Sequence, residues 1–197
     1  VHHIHTRYPN KLFNLAIKFF KFPKLDKLIG QNLDIFFSPN LNFTALSKNI
    51  KHILTIHDLS FEFFPQFFGI KQRLWHRAIK PKRSCQLADL ILTPSQNTKR
   101  DIVNHYKIEA EKIKIIYPGL SPIFKNKNQA EVAQKYNLPN NFILYLGTIE
   151  LRKNIFSIID AFEKSFSKKS DTNRLLPLFS FIRGSNLTLS RISRGGK

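Results

Sequence analysis

The sequence predicts an α/β fold built on a Rossmann-like parallel sheet. Five short apolar runs end in polar or turn residues: DIFFSP (34–39), HILTIHD (52–58), DLILTPS (89–95), IKIIYPG (113–119) and FILYLG (142–147). Four of the five show no polar alternation, which is typical of strands buried on both faces. Helical patterns separate the runs, and strands that alternate with helices favour a doubly wound architecture.

The first helical pattern covers residues 11–22 and ends at Pro23, which cannot continue a helix. Its apolar side chains recur at helical spacing, with lysines opposite: Leu12, Leu15, Ala16, Phe19 and Phe20. We favour an amphipathic helix that faces the core. The alternative is a helix lying on an anionic membrane, with Phe inward and Lys toward the headgroups.

Three longer helices follow from the same spacing rule. Residues 71–88 form a helix that Pro81 is expected to kink or split. Residues 95–107 begin at Ser95, a good N-cap directly after a strand. Residues 153–166 place apolar side chains at helical spacing after the last predicted strand.

The order of these elements predicts two domains. Residues 1–119 contain four of the predicted strands, and the polar segment 120–141, with one short helix at about 128–136, reads as a connector. A new strand–loop–helix unit covers 142–168. Residues 169–197 are rich in Arg and Ser without a core-forming pattern, so no further strand is expected there.

The charge balance indicates partners that carry negative charge. The formal net charge is +19, from 32 Lys+Arg against 13 Asp+Glu, and such a surface attracts anions. Because the cations are spread along the chain, we favour a solvated face, with peripheral contact to an anionic membrane as the specialised alternative. No RNP-like motif, zinc-finger spacing or helix-turn-helix pattern appears, so no nucleic-acid partner is expected.

Other composition features predict a cytoplasmic protein, with peripheral attachment to the inner face of the cytoplasmic membrane as the alternative. No apolar run approaches the roughly 20 residues of a spanning helix, and the polar, His-rich start does not resemble a signal peptide. The single cysteine, Cys85, suits a reducing compartment. The chain contains no Met, so we expect a fragment or an alternative start.

Polar side chains follow two predicted strands, and ligands bind at the carboxyl ends of parallel strands. His57 leaves an apolar run just as the chain turns, and Asp58 follows it. His57 is placed to donate a hydrogen bond or a proton to a substrate, or only to cap the strand, paired with Asp58. Ser95 begins a helix whose free N–H groups favour an anion, although an ordinary strand-to-helix junction has the same pattern.

The loop from Gly147 to Asn154 is the most informative local feature. It carries Glu150 and the adjacent cations Arg152 and Lys153 at the start of a helix. Cations there oppose the helix dipole, and a bound diphosphate would offset the repulsion while using the same amide donors. Neither a Walker A loop nor a Gly-x-Gly-x-x-Gly motif is present.

Two other features have weaker claims to function. His2, His3 and His5 have no carboxylate or Cys partner at a helpful spacing, so no metal site is expected. Cys85, among basic neighbours on a predicted helix, is interpreted as an inert thiol, with an activated thiol as the alternative.

Four motifs in this order resemble glycosyltransferase family 4 of the two-domain GT-B type, in particular its bacterial mannosyltransferase-like group. They are HILTIHDLSFEFFP (52–65), ADLILTPSQNTKRDI (88–102), KIKIIYPG (112–119) and FILYLGTIELRKNIFSIIDAFEK (142–164). The resemblance covers about residues 34–168. It implies a partial acceptor domain over 1–119 and the start of a donor domain over 142–168.

The resemblance also implies an activity. Members transfer a hexosyl group, with retention, from a nucleotide-sugar donor to a glycan or lipid-linked acceptor, in a cleft between the domains. They require no metal or cofactor, because the nucleotide sugar is itself a substrate. The bacterial group builds cell-surface polysaccharide such as lipopolysaccharide.

The matched motifs assign roles to individual residues. His57 matches the cleft histidine near the transferred sugar, and Lys153 matches the lysine that holds the donor diphosphate. Gly147 matches the start of the donor loop. Asp58, Ser95 and Glu150 are further candidates for the cleft.

The sequence departs from the family pattern in its second half. The family's arginine often directly follows the glycine, but Thr148 stands there, and Arg152 is the candidate substitute. Residues 170–197 contain no Glu, so the family's Glu-x7-Glu motif is missing. We therefore expect a truncated or decayed enzyme with little turnover; the alternative is a non-catalytic basic module that binds an anionic surface.

Overall fold

The computed structural model describes residues 8–30, 33–122, 134–135, 142–148, 150–166, 176–183 and 186–191. The chain divides into two compact units, Val1–Gly119 and Leu120–Lys197. Among the described residues, each unit has its own sheet, of four strands in the first and three in the second. Most of the helix predicted at about 128–136 lies outside the described residues.

The first unit is built on a parallel sheet with the strand order β1-β2-β3-β4. The strands are β1 Ile35–Ser38, β2 Lys51–Thr55, β3 Leu90–Thr93 and β4 Ile113–Ile115. This confirms the predicted α/β fold with a parallel, Rossmann-like sheet. Because all four strands run the same way, their carboxyl ends lie along one edge.

Six α-helices are described in the first unit. They are α1 Asn10–Phe20, α2 Leu25–Leu28, α3 Ser60–Phe63, α4 Ile70–Ile79, α5 Pro81–Leu87 and α6 Gln96–Asp101. A π-helical turn, Ile102–Tyr106, continues α6, and 3-10 turns lie at Pro65–Phe67 and Ala110–Lys112.

Pro81 splits the helix predicted over 71–88. Helix α4 ends at Ile79, Lys80 adopts a left-handed φ of 56°, and Pro81 is the first residue of α5. Proline has no N–H for a helix interior, but it fits the first turn, where that N–H is not needed.

The core of the first unit joins strands β2 to β4 to α5 and to the α6 segment. Its buried apolar side chains are Leu54, Ile56, Leu59, Cys85, Ala88, Ile91, Ile102, Tyr106, Ile108 and Ile113. Full burial of a Leu or Ile side chain stabilises a fold by about 1.5–3 kcal/mol. The cluster therefore anchors the segments that follow β2 and β3 at the carboxyl edge.

Helix α1 corrects the expectation that its apolar residues face the core. Ile17 is buried, whereas Leu12, Leu15, Phe19 and Phe20 are 51–78% exposed. A single helix buries only the stripe that meets its neighbours. Here that stripe contains Ile17, so the larger apolar side chains point away from the core.

The second unit contains the predicted strand–loop–helix segment and two further strands. Its elements are β5 Phe142–Gly147, a 3-10 turn Leu151–Lys153, α7 Ile155–Phe166, β6 Leu176–Arg183 and β7 Asn186–Arg191. The sheet order is β5-β6-β7, with β5 and β6 parallel and β6 and β7 antiparallel.

Strands β6 and β7 contradict the expectation that no strand follows residue 168. Residues 176–183, LPLFSFIR, are rich in Leu, Phe and Ile, which suit a strand packed on at least one face. Strands β6 and β7 pair antiparallel, from Leu178 with Arg191 to Arg183 with Asn186. The Arg and Ser residues around them obscure this pattern.

None of the helices described above is long and apolar enough to cross a bilayer.

Candidate functional site

The carboxyl edge of the first sheet brings together residues that are far apart in sequence. Pro39 follows β1, His57 follows β2, and Ser95 follows β3. Two hydrogen bonds join these segments, one through the His57 imidazole and one through its carbonyl oxygen. The predicted candidates His57, Asp58 and Ser95 thus lie on the connections that leave this edge.

The His57 side chain is exposed, and one of its ring nitrogens is fixed. Nε2 lies 3.1 Å from the carbonyl oxygen of Pro39. A carbonyl only accepts, so Nε2 carries the proton in this bond. In the neutral ring Nδ1 then bears a lone pair, and no described residue bonds to it. The imidazole therefore offers an acceptor to a hydroxyl group at the carboxyl edge.

Thr98 forms a hydrogen bond with the backbone of His57. Its buried Oγ1 donates to the His57 carbonyl oxygen at 3.1 Å and lies 3.0 Å from Ser95 Oγ. Sequence reasoning missed Thr98. The available signal was its position three residues after the N-cap, where a Glu or Gln is more usual.

Ser95 is the N-cap that the sequence predicts. Its Oγ accepts a hydrogen bond of 3.1 Å from the Thr98 backbone N–H, and its φ of −153° is extended. The side chain thereby satisfies one of the orphan donors of α6. Helix capping therefore explains why a serine stands at position 95.

Asp58 closes the loop after His57. Its Oδ1 accepts from the Ser60 backbone N–H at 2.8 Å and from the Ser60 hydroxyl at 2.5 Å. These bonds order the start of α3. The suggested pairing of His57 with Asp58 is replaced by the bond from His57 to Pro39.

A second set of polar contacts joins Glu62 to Tyr106 and His105, and the sequence did not predict it. The Tyr106 hydroxyl donates to Glu62 Oε1 at 2.7 Å, and His105 Nε2 lies 3.8 Å from Glu62 Oε2. Burial raises the pKa of the Tyr106 phenol, and the Glu62 hydrogen bond acts in the same direction. Tyr106 therefore stays protonated and ties α3 to the π-helical turn.

In the second unit, Gly147 ends β5 under the Tyr145 ring. A Cβ at position 147 would lie 2.9 Å from the Tyr145 phenol oxygen, which is too close without a shift of that ring. The Tyr145 hydroxyl also donates to the Thr148 carbonyl oxygen at 3.4 Å. Glycine therefore lets the ring lie against the start of the loop.

Glu150 organises the loop that follows. It accepts from the Thr148 hydroxyl at 2.8 Å and from Arg152 Nε at 2.5 Å. The Thr148 hydrogen bond, followed by the one from Arg152, lowers the pKa of the Glu150 carboxyl. Arg152, the candidate substitute for the family's arginine, is thus engaged within the loop.

Lys153 differs from Arg152 in having no ion pair with any described residue. It is exposed at the end of the 3-10 turn, and Asn154 follows with a left-handed φ of 47°. Helix α7 then begins, and the first N–H groups of any helix lack partners within it. An exposed cation beside a helix N-terminus is suited to an anion such as a diphosphate.

Cys85 and the metal-site candidates take no part in these arrangements. Burial raises the pKa of the Cys85 thiol to about 12, and the side chain is fully buried, so it is inert. Among the described residues no group of three or more His, Cys, Asp or Glu side chains is arranged to hold a metal. His2, His3 and His5 lie outside them.

The sequence model of Glycosyltransferase Family 4 matches residues 1–122. The chain belongs to this family. The match includes the whole first sheet, and it contains His57, Asp58 and Ser95. The family resemblance carried by the sequence motifs is thereby confirmed.

Two known proteins are similar to this family 4 chain. It is 29% identical over 126 residues to O-antigen chain mannosyltransferase B of Escherichia coli, which covers 62% of the chain and 33% of that protein. A crystal structure of a glycosyltransferase from Rickettsia africae ESF-5 aligns with a TM-score of 0.50 at 15% identity, over 91% of the chain and 46% of that structure. The structural likeness supports the Rossmann-like GT-B fold, and the chain spans less than half of either protein.

Proposed function

We propose that this protein is a retaining hexosyltransferase of cell-envelope glycan synthesis, with a nucleoside diphosphate sugar as donor. Mannose is the first sugar to test, since the similar Escherichia coli protein is named a mannosyltransferase. The proposed acceptor is a glycan or a lipid-linked glycan. The observation that carries the proposal is His57, fixed at the carboxyl edge of a family 4 sheet with Nδ1 available.

The proposed reaction exchanges one bond at the anomeric carbon. The bond from this carbon to the diphosphate oxygen breaks, and a bond to the acceptor oxygen forms on the same face. The nucleoside diphosphate leaves with the electron pair of the broken bond, and its departing oxygen takes up the proton that the acceptor hydroxyl loses. In the proposal, His57 Nδ1 accepts a hydrogen bond from a hydroxyl of the transferred sugar and so orients it.

The negative charge of the leaving group needs a partner. We assign this role to Lys153 and to the amides that begin α7, because a cation and helix N–H groups both stabilise a phosphate. Arg152 has the secondary role of holding Glu150 and the loop. The proposal involves no metal or redox cofactor.

The test is a transfer assay with the full chain, a panel of labelled nucleotide sugars and lipid-linked acceptors. A high chain concentration is used, because the sequence predicts little turnover. We expect product with retained anomeric configuration by NMR, and at least about a tenfold loss of transfer in His57→Ala. His105→Ala, also an exposed histidine of the first unit, is the matched control.

Three results would contradict the proposal. They are product of inverted configuration, equal transfer by His57→Ala and the parent chain, and failure of every nucleotide sugar to bind. Circular dichroism of both variants ensures that a loss of transfer is not a loss of fold.

A further inference from the structure

A continuous segment of the first unit carries cations without carboxylates. Residues 70–87 contain no Asp or Glu, and their Lys and Arg residues are all exposed: Lys71, Arg73, Arg77, Lys80, Lys82 and Arg83. None of them pairs with an acidic side chain of the described residues. Glu62 lines the same cavity as Arg73 and Arg77, and its Oε1 accepts a hydrogen bond from the Tyr106 hydroxyl.

The same segment and the turn before it expose large apolar side chains. Those more than a third exposed are Phe63, Phe64, Phe67, Ile70, Leu74, Trp75 and Leu87. Phe64 and Phe67 contact each other, with ring centroids 6.1 Å apart. Aromatic side chains of this kind favour the interface between water and a bilayer.

Five of the six cations and two of the exposed apolar side chains, Ile70 and Leu74, line one groove. Ile70, Arg73, Leu74 and Arg77 lie on one face of α4, at the spacing i, i+3, i+4 and i+7. With Lys80, Lys82 and Arg83 they border a cavity of about 650 Å³, which Phe61, Glu62 and Pro65 also line. We call residues 63–83 the basic aromatic surface.

We propose that the basic aromatic surface docks on a bilayer that contains anionic lipid. Each cation near such a bilayer contributes about 1 kcal/mol, and exposed Phe, Leu, Ile and Trp side chains enter the headgroup region. A soluble phosphate would use the cations and leave Ile70 and Leu74 without a partner. The groove, with both kinds of side chain, fits the phosphate and the acyl region of a lipid.

Helix α1 is the rival surface for the same partner. It exposes Leu12, Leu15 and Phe19, and its own cations are Lys11 and Lys18. Lys18 and Phe19 also border a cavity, which Lys80 and Arg83 share. The basic aromatic surface has six cations against the two of α1, so we assign docking to it.

The chain contains an intrinsic reporter of this surface. Trp75 is its single tryptophan, lies on α4 and is 39% exposed. Its fluorescence therefore reports the surroundings of the basic aromatic surface without any substitution or label.

The experiment titrates the full chain with vesicles and records Trp75 emission. With mixed phosphatidylglycerol–phosphatidylcholine vesicles we expect a blue shift, and quenching when the acyl chains are brominated. Pure phosphatidylcholine vesicles and soluble glycerol phosphate should leave the emission unchanged. Binding should weaken with added salt, because the screening length falls from about 10 Å at 0.1 M to about 3 Å at 1 M.

Paired variants locate the contact. Arg73→Gln/Arg77→Gln should lower the vesicle partition coefficient about 25-fold, at about fivefold per cation. The control Lys107→Gln/Lys114→Gln removes two exposed cations outside the surface. It should change the partition coefficient less than about twofold, because cations farther than the screening length from the bilayer contribute little. Leu12→Ser/Phe19→Ser tests the rival helix, and circular dichroism verifies the fold of each variant.

Five results would overturn the proposal. They are no response to anionic vesicles, vesicle binding without a change in Trp75 emission, and a loss of vesicle binding in Lys107→Gln/Lys114→Gln as large as in Arg73→Gln/Arg77→Gln. The fourth is a loss of vesicle binding in Leu12→Ser/Phe19→Ser while Arg73→Gln/Arg77→Gln still binds. The fifth is a change in Trp75 emission with glycerol phosphate or an oligonucleotide equal to the change with anionic vesicles.

Discussion

The hydroxyl of Thr98 links the two strand-end segments that carry His57 and Ser95. It donates to the His57 carbonyl oxygen from a position that is only 5% exposed. Thr98→Val keeps the shape but leaves that carbonyl without its donor. We predict a loss of about 1–3 kcal/mol in the free energy of unfolding.

Denaturant titration followed by Trp75 emission measures this loss, because Trp75 lies in the same unit. Thr44→Val is the control, since the exposed Thr44 hydroxyl bonds only to the nearby Asn42 carbonyl oxygen. The control should change stability by less than about 0.5 kcal/mol. Equal effects of the two variants would show that the Thr98 bond has no special role.

His52 makes stability depend on pH. It is buried, with Nε2 2.9 Å from Ser38 Oγ. Burial lowers the pKa of His52 from its ordinary value of 6.5, while the Asp89 carboxylate acts in the opposite direction. The folded state thus binds fewer protons than the unfolded state as the pH falls, so stability should decrease below about pH 6.5.

We predict that His52→Gln loses less stability than the parent chain between pH 7 and pH 5. Urea titrations at a series of pH values measure this difference in slope. Thr44→Val, which removes no titratable group, should keep the parent slope. A parent slope in His52→Gln as well would contradict the assignment.

At the scale of single elements, the N-cap of α6 is a local contact that affects the stability of the whole first unit. Helix α6 continues into the π-helical turn that places Ile102 and Tyr106 in the core. We predict that Ser95→Ala costs about 0.5–2 kcal/mol of stability. Ser95→Asn should be close to neutral, since Asn is an equally good cap, and an Asn variant as unstable as the Ala variant would refute the capping role.

The elements that sequence predicted well are those fixed by local chemistry. The four strands of the first sheet follow from unbroken apolar runs, the split at Pro81 from its missing N–H, and the start of α6 from the Ser95 hydroxyl. Each needs only a few neighbouring residues. The same holds for the β5–loop–α7 segment.

The features that sequence did not predict depend on contacts between distant segments. Which side of α1 is buried is decided by the neighbour that meets Ile17, and periodicity alone does not identify that neighbour. The bonds from His57 to Pro39 and from Thr98 to His57 join residues 18 and 41 positions apart. The pairing of β6 with β5 likewise needs a partner strand more than 30 residues away.

At the scale of the whole molecule, the two proposed binding residues, His57 and Lys153, lie in different units. The family match covers the first unit with His57, while the loop with Lys153 belongs to the second unit. A chain of net charge +19 has many cations that attract a diphosphate without specificity. The proposed role of Lys153 must therefore be separated from this background.

Calorimetric titration of the chain with a nucleoside diphosphate sugar makes that separation and tests the central claim most directly. Lys164→Ala is the matched control, because Lys164 is an exposed lysine of the same unit near the other end of α7. We predict that Lys153→Ala weakens binding by about 1.5–3 kcal/mol, roughly 10- to 150-fold in Kd, while Lys164→Ala changes it less than about twofold. Equal effects of the two substitutions, or no binding by the parent chain, would contradict the account.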